Sequence, residues 1–290
     1  MRNQSEMPEV VVLSDLHLGS YGCHAPEIAA YLASIQPKIL ILNGDIIDIW
    51  RFKKRYFPKA HFQVLKELLK HLKQGTKVYY LTGNHDEAMR RFSGYGIGGL
   101  VIDNKLVMEL DGKLHWFIHG DIFDLSMNYS KWLAKLGGAA YDWLIVANRF
   151  VNHCLNKFGK SPVSFSKRVK AGVKKAIRYI SDFENMVIKS AVSRGVDVVC
   201  CGHIHQPKIE DVSHGETRLT YLNAGDWVES LTALEYENGK WKLFEYAGNA
   251  NTAEIYTMED FPNCYSLEDL LLEVTACTEA SNKEGFQMRY

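Results

Sequence analysis

No run of about eighteen apolar residues occurs in this 290-residue sequence, and its opening MRNQSEMPEV has no apolar stretch behind a positive start. The first absence argues against a bilayer-spanning helix and the second against a secretory signal. The six cysteines, Cys23, Cys154, Cys200, Cys201, Cys264 and Cys277, include no C-x-x-C pair, which leaves them as free thiols of a reducing compartment. Net charge is also lacking: 34 Lys and Arg offset 34 Asp and Glu, for a pI near 7.2, well below what a nucleic-acid domain shows. Neither an internal repeat nor a low-complexity tract interrupts the chain. A cytoplasmic globular protein that binds no nucleic acid is the expectation.

What is present is a 47% hydrophobic, 23% charged composition able to bury a core, with its charge unevenly placed. Between Ser126 and Arg194 thirteen Lys and Arg face three acids, so the rest of the chain is correspondingly acidic. Short β-branched runs recur at Val10 (VVVLS), Ile39 (ILILN), Val78 (VYYLT), Leu114 (LHWFIHG) and Val196 (VDVVCCG), each ending in a polar or glycine-containing loop. These read as strands. HFQVLKELLKHLKQG reads as a helix with Phe62, Leu65, Leu69 and Leu72 on its apolar face and Gly75 as its stop. Alternating strands and helices predict a mainly parallel α/β sheet, whose ligands gather at the carboxyl ends of the strands. LTALEYENGKWKLFEY predicts an antiparallel hairpin through Asn238 and Gly239. The segment from about 124 to 194 has helical spacing and no strand signal, and is expected to be a helical insertion in a domain covering 1–250. A tail follows over 251–290, with a short helix at SLEDLLLEV capped by Ser266.

Five strand ends carry polar groups: SDLH (Asp15, His17), NGDIID (Asp45, Asp48), TGNHDE (Asn84, His85, Asp86), HGD (His119, Asp121) and GHIH (His203, His205). Any one alone is an ordinary strand-to-loop transition. Five in succession, each just past an apolar run, converge on a site. Mixed carboxylate, imidazole and amide ligands suit Mn, Fe, Zn or Co, rather than calcium, which prefers oxygen alone, or structural zinc, which prefers thiolate. His24, His61, His71, His115, His153 and His214 lie outside the pattern and read as ordinary histidines.

In order and spacing these motifs, D-x-H, G-D, G-N-H-D, H and G-H-x-H, resemble the calcineurin-like metallophosphoesterase superfamily over roughly Val10 to Val228. The resemblance implies an α/β fold, a two-layered β-sandwich flanked by helices, here with a helical lid insertion. It implies two divalent metal ions, manganese first among them, with Asp15, His17 and His205 on one, Asn84, His119 and His203 on the other, and Asp45 bridging both. A carboxylate shared between two nearby cations offsets their repulsion, and water activated between them attacks phosphorus. His85 is expected to stabilise or protonate the leaving oxygen, with Asp86 holding its ring. Asp48, Asp121 and Asp226 are expected to accept the remaining N–H groups of metal-bound histidines.

The insertion is expected to set the substrate. Lys167, Arg168, Lys170, Lys174, Lys175 and Arg178 interleave with Val169, Val173, Ile177 and Ile180 at helical spacing. This reads either as a solvated helix face or as a lid whose cations Lys167, Arg168, Lys174, Lys175 and Arg178 bind substrate phosphate or an anionic membrane surface. YDWLIVANRFVNHCLNKF, just upstream, reads as core packing or as a wall for an acyl chain. An insertion at this place resembles the UDP-2,3-diacylglucosamine pyrophosphatase group. That implies cleavage of a lipid-linked nucleotide sugar to UMP and an acylated sugar phosphate in lipid A synthesis, with manganese and a loose attachment to the inner face of the cytoplasmic membrane. Better-known members carry arginine after the metal-binding asparagine, where this chain has His85, the residue expected of a phosphodiesterase acting on a soluble nucleotide. A non-enzymatic scaffold of this fold, resembling the retromer subunit, loses ligands, whereas every ligand position is filled here. Confinement of the basic charge to one segment argues against a nuclease.

Overall fold

The computed structural model describes residues 7–49, 57–123 and 166–247, the side chains of 166–177 excepted. The YDWLIVANRF segment, most of the expected insertion and the SLEDLLLEV helix lie outside the described residues. Two compact units are present, Met1–Asp121 with Ile188–Tyr290, and Ile122–Val187. The second contains most of the helix α3, Ser166–Arg194, and an edge-on contact between Phe123 and Phe183.

The first unit is built from two mixed sheets. The larger runs β12-β11-β1-β2-β3-β5-β4, with β1 (Val10–Leu13), β2 (Ile39–Asn43), β3 (Lys77–Leu81) and β5 (Leu100–Asp103) parallel. Antiparallel β4 (Tyr95–Ile97), β11 (Thr232–Glu237) and β12 (Lys240–Glu245) complete its edges. The smaller runs β6-β7-β8-β10-β9, where β7 (Lys113–Ile118), β8 (Val198–Cys201) and β10 (Thr217–Asn223) are parallel and β6 (Lys105–Leu110) and β9 (Lys208–His214) are antiparallel edges. The β11–β12 turn has Asn238 at φ 50° and Gly239 at φ 75°, the pair of left-handed residues a two-residue hairpin turn requires.

Period-two alternation divides the core. Val10, Val12, Ile41, Leu81 and Leu234 of the larger sheet meet Phe117, Val198, Cys200 and Leu222 of the smaller. Val11, Leu13, Leu40 and Leu42 point the other way, into a cluster with Ile28 and Leu32 of α1 (Ala25–Ser34) and Val64 and Leu68 of α2 (Lys59–Lys73). Each such side chain contributes about 1.5 to 3 kcal/mol on burial.

The buried face of α2 differs from the expected one. It consists of His61, Val64, Leu68 and His71, while Phe62, Leu65, Leu69 and Leu72 are half-buried. The reason is polar: the Gly19 amide donates to His61 Nδ1 at 2.8 Å, and His71 Nε2 lies 3.0 Å from the Leu32 carbonyl oxygen. Hydrogen bonds to neighbouring backbone let two imidazoles occupy the positions that hydrophobicity assigns to leucines. Cys23, Cys200 and Cys201 are free thiols, and burial pushes the Cys200 thiol well up. Among the described residues no helix is long and apolar enough to cross a membrane.

Candidate metal centre

The carboxyl ends of β1, β2, β3, β7 and β8 each run into a loop carrying one of the five motifs. Those loops are tied together by backbone hydrogen bonds: Asp15 N to Gly44 O at 3.0 Å, His17 N to Asp45 O at 2.9 Å, and Gly202 N to His119 O at 3.0 Å. Asp15, His17, Asp45, His203 and His205 all have φ between 50° and 66°. Left-handed backbone costs a residue with a Cβ of order 1 to 3 kcal/mol and persists only where its surroundings fix it. Here the turns bring side chains from separate strands to one place.

Glycines make the approach possible. Gly44, at φ 85°, lies so close to the His119 ring that any Cβ would overlap it, and a Cβ on Gly83 would sit within 2.6 Å of the Asp45 amide and against its carboxylate.

Two groups of ligand-type atoms result, each gathered within 4.8 Å: Asp15, His17 and His205, and Asp45, His119 and His203. A third, His17, Asp48 and His85, adjoins them. Asp45 is 2% exposed; its Oδ1 accepts the His85 amide at 2.8 Å and its Oδ2 lies 3.3 Å from His119 Nε2. His17 Nε2, His119 Nε2 and Asn84 Oδ1 are buried without a hydrogen-bond partner. Buried polar atoms are seldom left so, and three such atoms beside two buried carboxylates fit a site for divalent cations with mixed nitrogen and oxygen ligands. The His119 tautomer suits that role: Nδ1 lies 3.0 Å from the Asn43 carbonyl oxygen, so it carries the proton and leaves Nε2 for the site.

Charge coupling is strong. Burial raises the Asp15 carboxyl, but the imidazoles of His119 and His205 outweigh it and bring it to about 2. Against the same opposing burial, His119 drives Asp45 below the usual carboxylate range. Burial lowers His205, yet the Asp15 carboxylate raises it to about 9, and Asp45 with Asp15 lifts His119 well above its ordinary value. In His17 burial prevails and the ring stays neutral-leaning. A raised imidazole holds its proton up to its folded pKa and must release it to ligate a metal. Affinity for a divalent cation is therefore expected to rise with pH up to about 9, where His205 loses its proton, by up to roughly tenfold per unit for each proton displaced. Metal titrations at stepped pH with proton-release measurement check this; a flat profile would contradict it.

The supporting carboxylates are arranged differently from expectation. Asp86 does not hold the His85 ring. It is fully buried, with Oδ1 accepting from Gly83 N at 2.6 Å and Oδ2 from Ile46 N at 2.9 Å and Tyr80 Oη at 2.6 Å, and so clamps the TGNHD loop to the NGDIID loop. The carboxylate beside the ring is Asp48, whose Oδ1 lies 3.3 Å from His85 Nδ1 and whose Oδ2 lies 4.0 Å from His17 Nδ1. Burial lowers His85, but Asp48, Asp45 and Asp15 together raise it. Asp121 pairs with Arg90 instead of a histidine, and Asp226 Oδ1 receives the amides of Val228 at 2.8 Å and Glu229 at 2.5 Å. Tyr80, Asn43 and Arg90 were not legible as site residues. Tyr80 and Asn43 sit in apolar strand runs, and only the charge of Arg90 so soon after TGNHD marks it out. Of the cations expected to belong to a lid, Lys167, Arg168, Lys174 and Lys175 lie on α3 with side chains outside the described residues, and Arg178 is exposed.

Known proteins resemble this chain over most of its length. The sequence model of the calcineurin-like phosphoesterase family matches residues 8–207. A UDP-2,3-diacylglucosamine hydrolase from Aliivibrio fischeri is 25% identical over 252 residues, covering 81% of this chain and 97% of its own. A UDP-2,3-diacylglucosamine hydrolase from Stenotrophomonas maltophilia is 24% identical over 242 residues, covering 80% and 96%. Among solved structures, an archaeal phosphodiesterase aligns with 81% of this chain and 98% of its own at 14% identity and a TM-score of 0.39.

Proposed function

This chain belongs to the calcineurin-like phosphoesterase family, and from that premise we propose that it hydrolyses the pyrophosphate of UDP-2,3-diacylglucosamine, or of a similar lipid-linked nucleotide sugar, to UMP and an acylated sugar phosphate. Membership makes it a metal-dependent hydrolase of phosphoric esters. The observation that carries the site is the set of orphaned atoms, His17 Nε2, His119 Nε2 and Asn84 Oδ1, beside Asp15 and Asp45. The substrate rests on relatives of that activity aligned over four fifths of the chain.

In this reading Asp15, His17 and His205 would hold one metal, Asn84, His119 and His203 the other, and Asp45 would serve both; manganese is the proposed species. Bound there, the metals supply a nucleophilic water at neutral pH and neutralise charge on the phosphoryl oxygens. Asp48 holds His85 with Nδ1 toward its carboxylate and keeps the ring protonated, so Nε2 is left to hand a proton to the departing oxygen. Asp86 acts by positioning the His85 loop. The basic segment with Lys167, Arg168, Lys174, Lys175 and Arg178 meets the anionic surface from which a lipid substrate is drawn, placing the protein in the cytoplasm and peripherally on the membrane.

A soluble phosphodiester is the second reading, favoured by the His85–Asp48 pair, because histidine stands where better-known members of the lipid-specific group carry arginine. Purified, manganese-loaded protein offered UDP-2,3-diacylglucosamine beside bis(p-nitrophenyl) phosphate separates the two. Efficient UMP release with poor turnover of the small diester is expected. Cleavage of the small diester alone would return the site to the second reading.

A further inference from the structure

One ion pair spans the two sheets at the end that carries the motifs. Arg90 lies on the 3-10 turn Glu87–Phe92, directly after the TGNHD loop, and Asp121 lies two residues past His119 at the end of β7. Arg90 Nη2 pairs with Asp121 Oδ2. The partners are unlike: the Asp121 side chain is 4% exposed and the Arg90 side chain 36%, while Arg90 Nε is buried with no hydrogen-bond partner. Asp121 is close enough to His119 to help raise it, which puts the pair on the His119 side of the site. The turn itself is fixed, since Asp86 accepts from Gly83 N and Ile46 N and the Met89 amide bonds Asp86 O at 2.8 Å. The guanidinium is thus a planar fork held at Nη2 by a buried carboxylate, on a side chain that is itself partly exposed.

We infer that Arg90 binds the second phosphate of a pyrophosphate substrate, the one that leaves with the sugar. This rests on the phosphoesterase reading of the same site and deepens it. A phosphodiester brings one phosphate, which the metals engage, whereas a pyrophosphate brings two on adjacent phosphorus atoms, and the departing one needs a cation of its own. Guanidinium meets two phosphate oxygens at once and stays charged throughout. Asp121 has already restrained the side chain, so less rotamer freedom is lost when phosphate arrives.

Calorimetric titration of manganese-loaded, full-length protein with UDP-glucose and with UMP tests this. The first offers two phosphates and the second one, and neither has an acyl chain. Arg90→Gln should weaken UDP-glucose binding roughly tenfold or more, the scale of a lost charge-assisted pair, with a clearly smaller effect on UMP. Arg90→Lys keeps the charge without the fork and should recover only part. The double variant Arg90→Gln/Asp121→Asn removes the carboxylate left uncompensated, so weak UDP-glucose binding that persists in it supports the inference. Recovery in the double variant, equal weakening of both ligands, or wild-type protein that binds UMP as tightly as UDP-glucose would overturn it. If the lipid substrate is not cleaved while the differential holds, the lipid reading fails and the Arg90 assignment stands.

Discussion

Asp45→Ala lowers turnover of any phosphoester by roughly a thousandfold or more, the scale on which central electrostatic groups act, and leaves fewer than two metals bound per chain. Asp45 is the carboxylate assigned to both metals in the proposed reading: its Oδ2 lies 3.3 Å from His119 Nε2, and its Oδ1 accepts the amide of His85, the residue after Asn84. Removing it leaves two cations without a shared anion, and their repulsion then opposes double occupancy. Asp45→Asn separates charge from shape, since an amide oxygen still accepts the His85 amide while the negative charge is gone. Metal content by mass spectrometry, read beside turnover, should fall in both variants. Two tightly held metals in Asp45→Ala would remove Asp45 from the bridging role.

His85→Ala leaves metal content intact and lowers kcat by about a hundredfold, within the range typical of general acid–base groups. The side chain is 28% exposed and is held by Asp48 at 3.3 Å, so its loss removes an edge contact with the His17 ring but none of the seven assigned ligand side chains. The effect should depend on the leaving group, being largest for poor ones, because a good leaving group departs without a proton. Equal rates for the variant and the wild type on a poor leaving group would exclude His85 from the chemistry. Asp48→Asn should lower the pH at which activity is lost at the alkaline limb, since the carboxylate that raises His85 is then absent.

The strand ends were readable because an apolar run followed by Asp, His or Asn is a local pattern, and an α/β sheet brings such ends to one side. Local pattern does not reveal which partner each polar group takes. Asp86 follows His85 in sequence, yet its carboxylate turns inward to Gly83, Ile46 and Tyr80, and Asp48, distant in sequence, reaches the ring. His61 and His71 are polar by composition and buried by virtue of backbone partners from other elements. The left-handed backbone at Asp15, His17, Asp45, His203 and His205 falls on residues other than glycine, so residue type does not announce it. β4, β5, β6 and β9 were also illegible: β4 is three residues long with all three exposed, and the burial of the others is partial or alternates with exposure. β10 was missed for a different reason, since its buried half is short and follows directly on exposed Thr217 and Arg218.

In the proposed reading five strand ends build one dinuclear metal centre. Crystals of manganese-loaded protein, with anomalous scattering recorded at the manganese edge, test it most directly. Two peaks about 3.5 to 4 Å apart are expected, one against Asp15, His17 and His205, the other against Asn84, His119 and His203, with Asp45 between them. A single peak, or two peaks that do not share Asp45, would contradict the account.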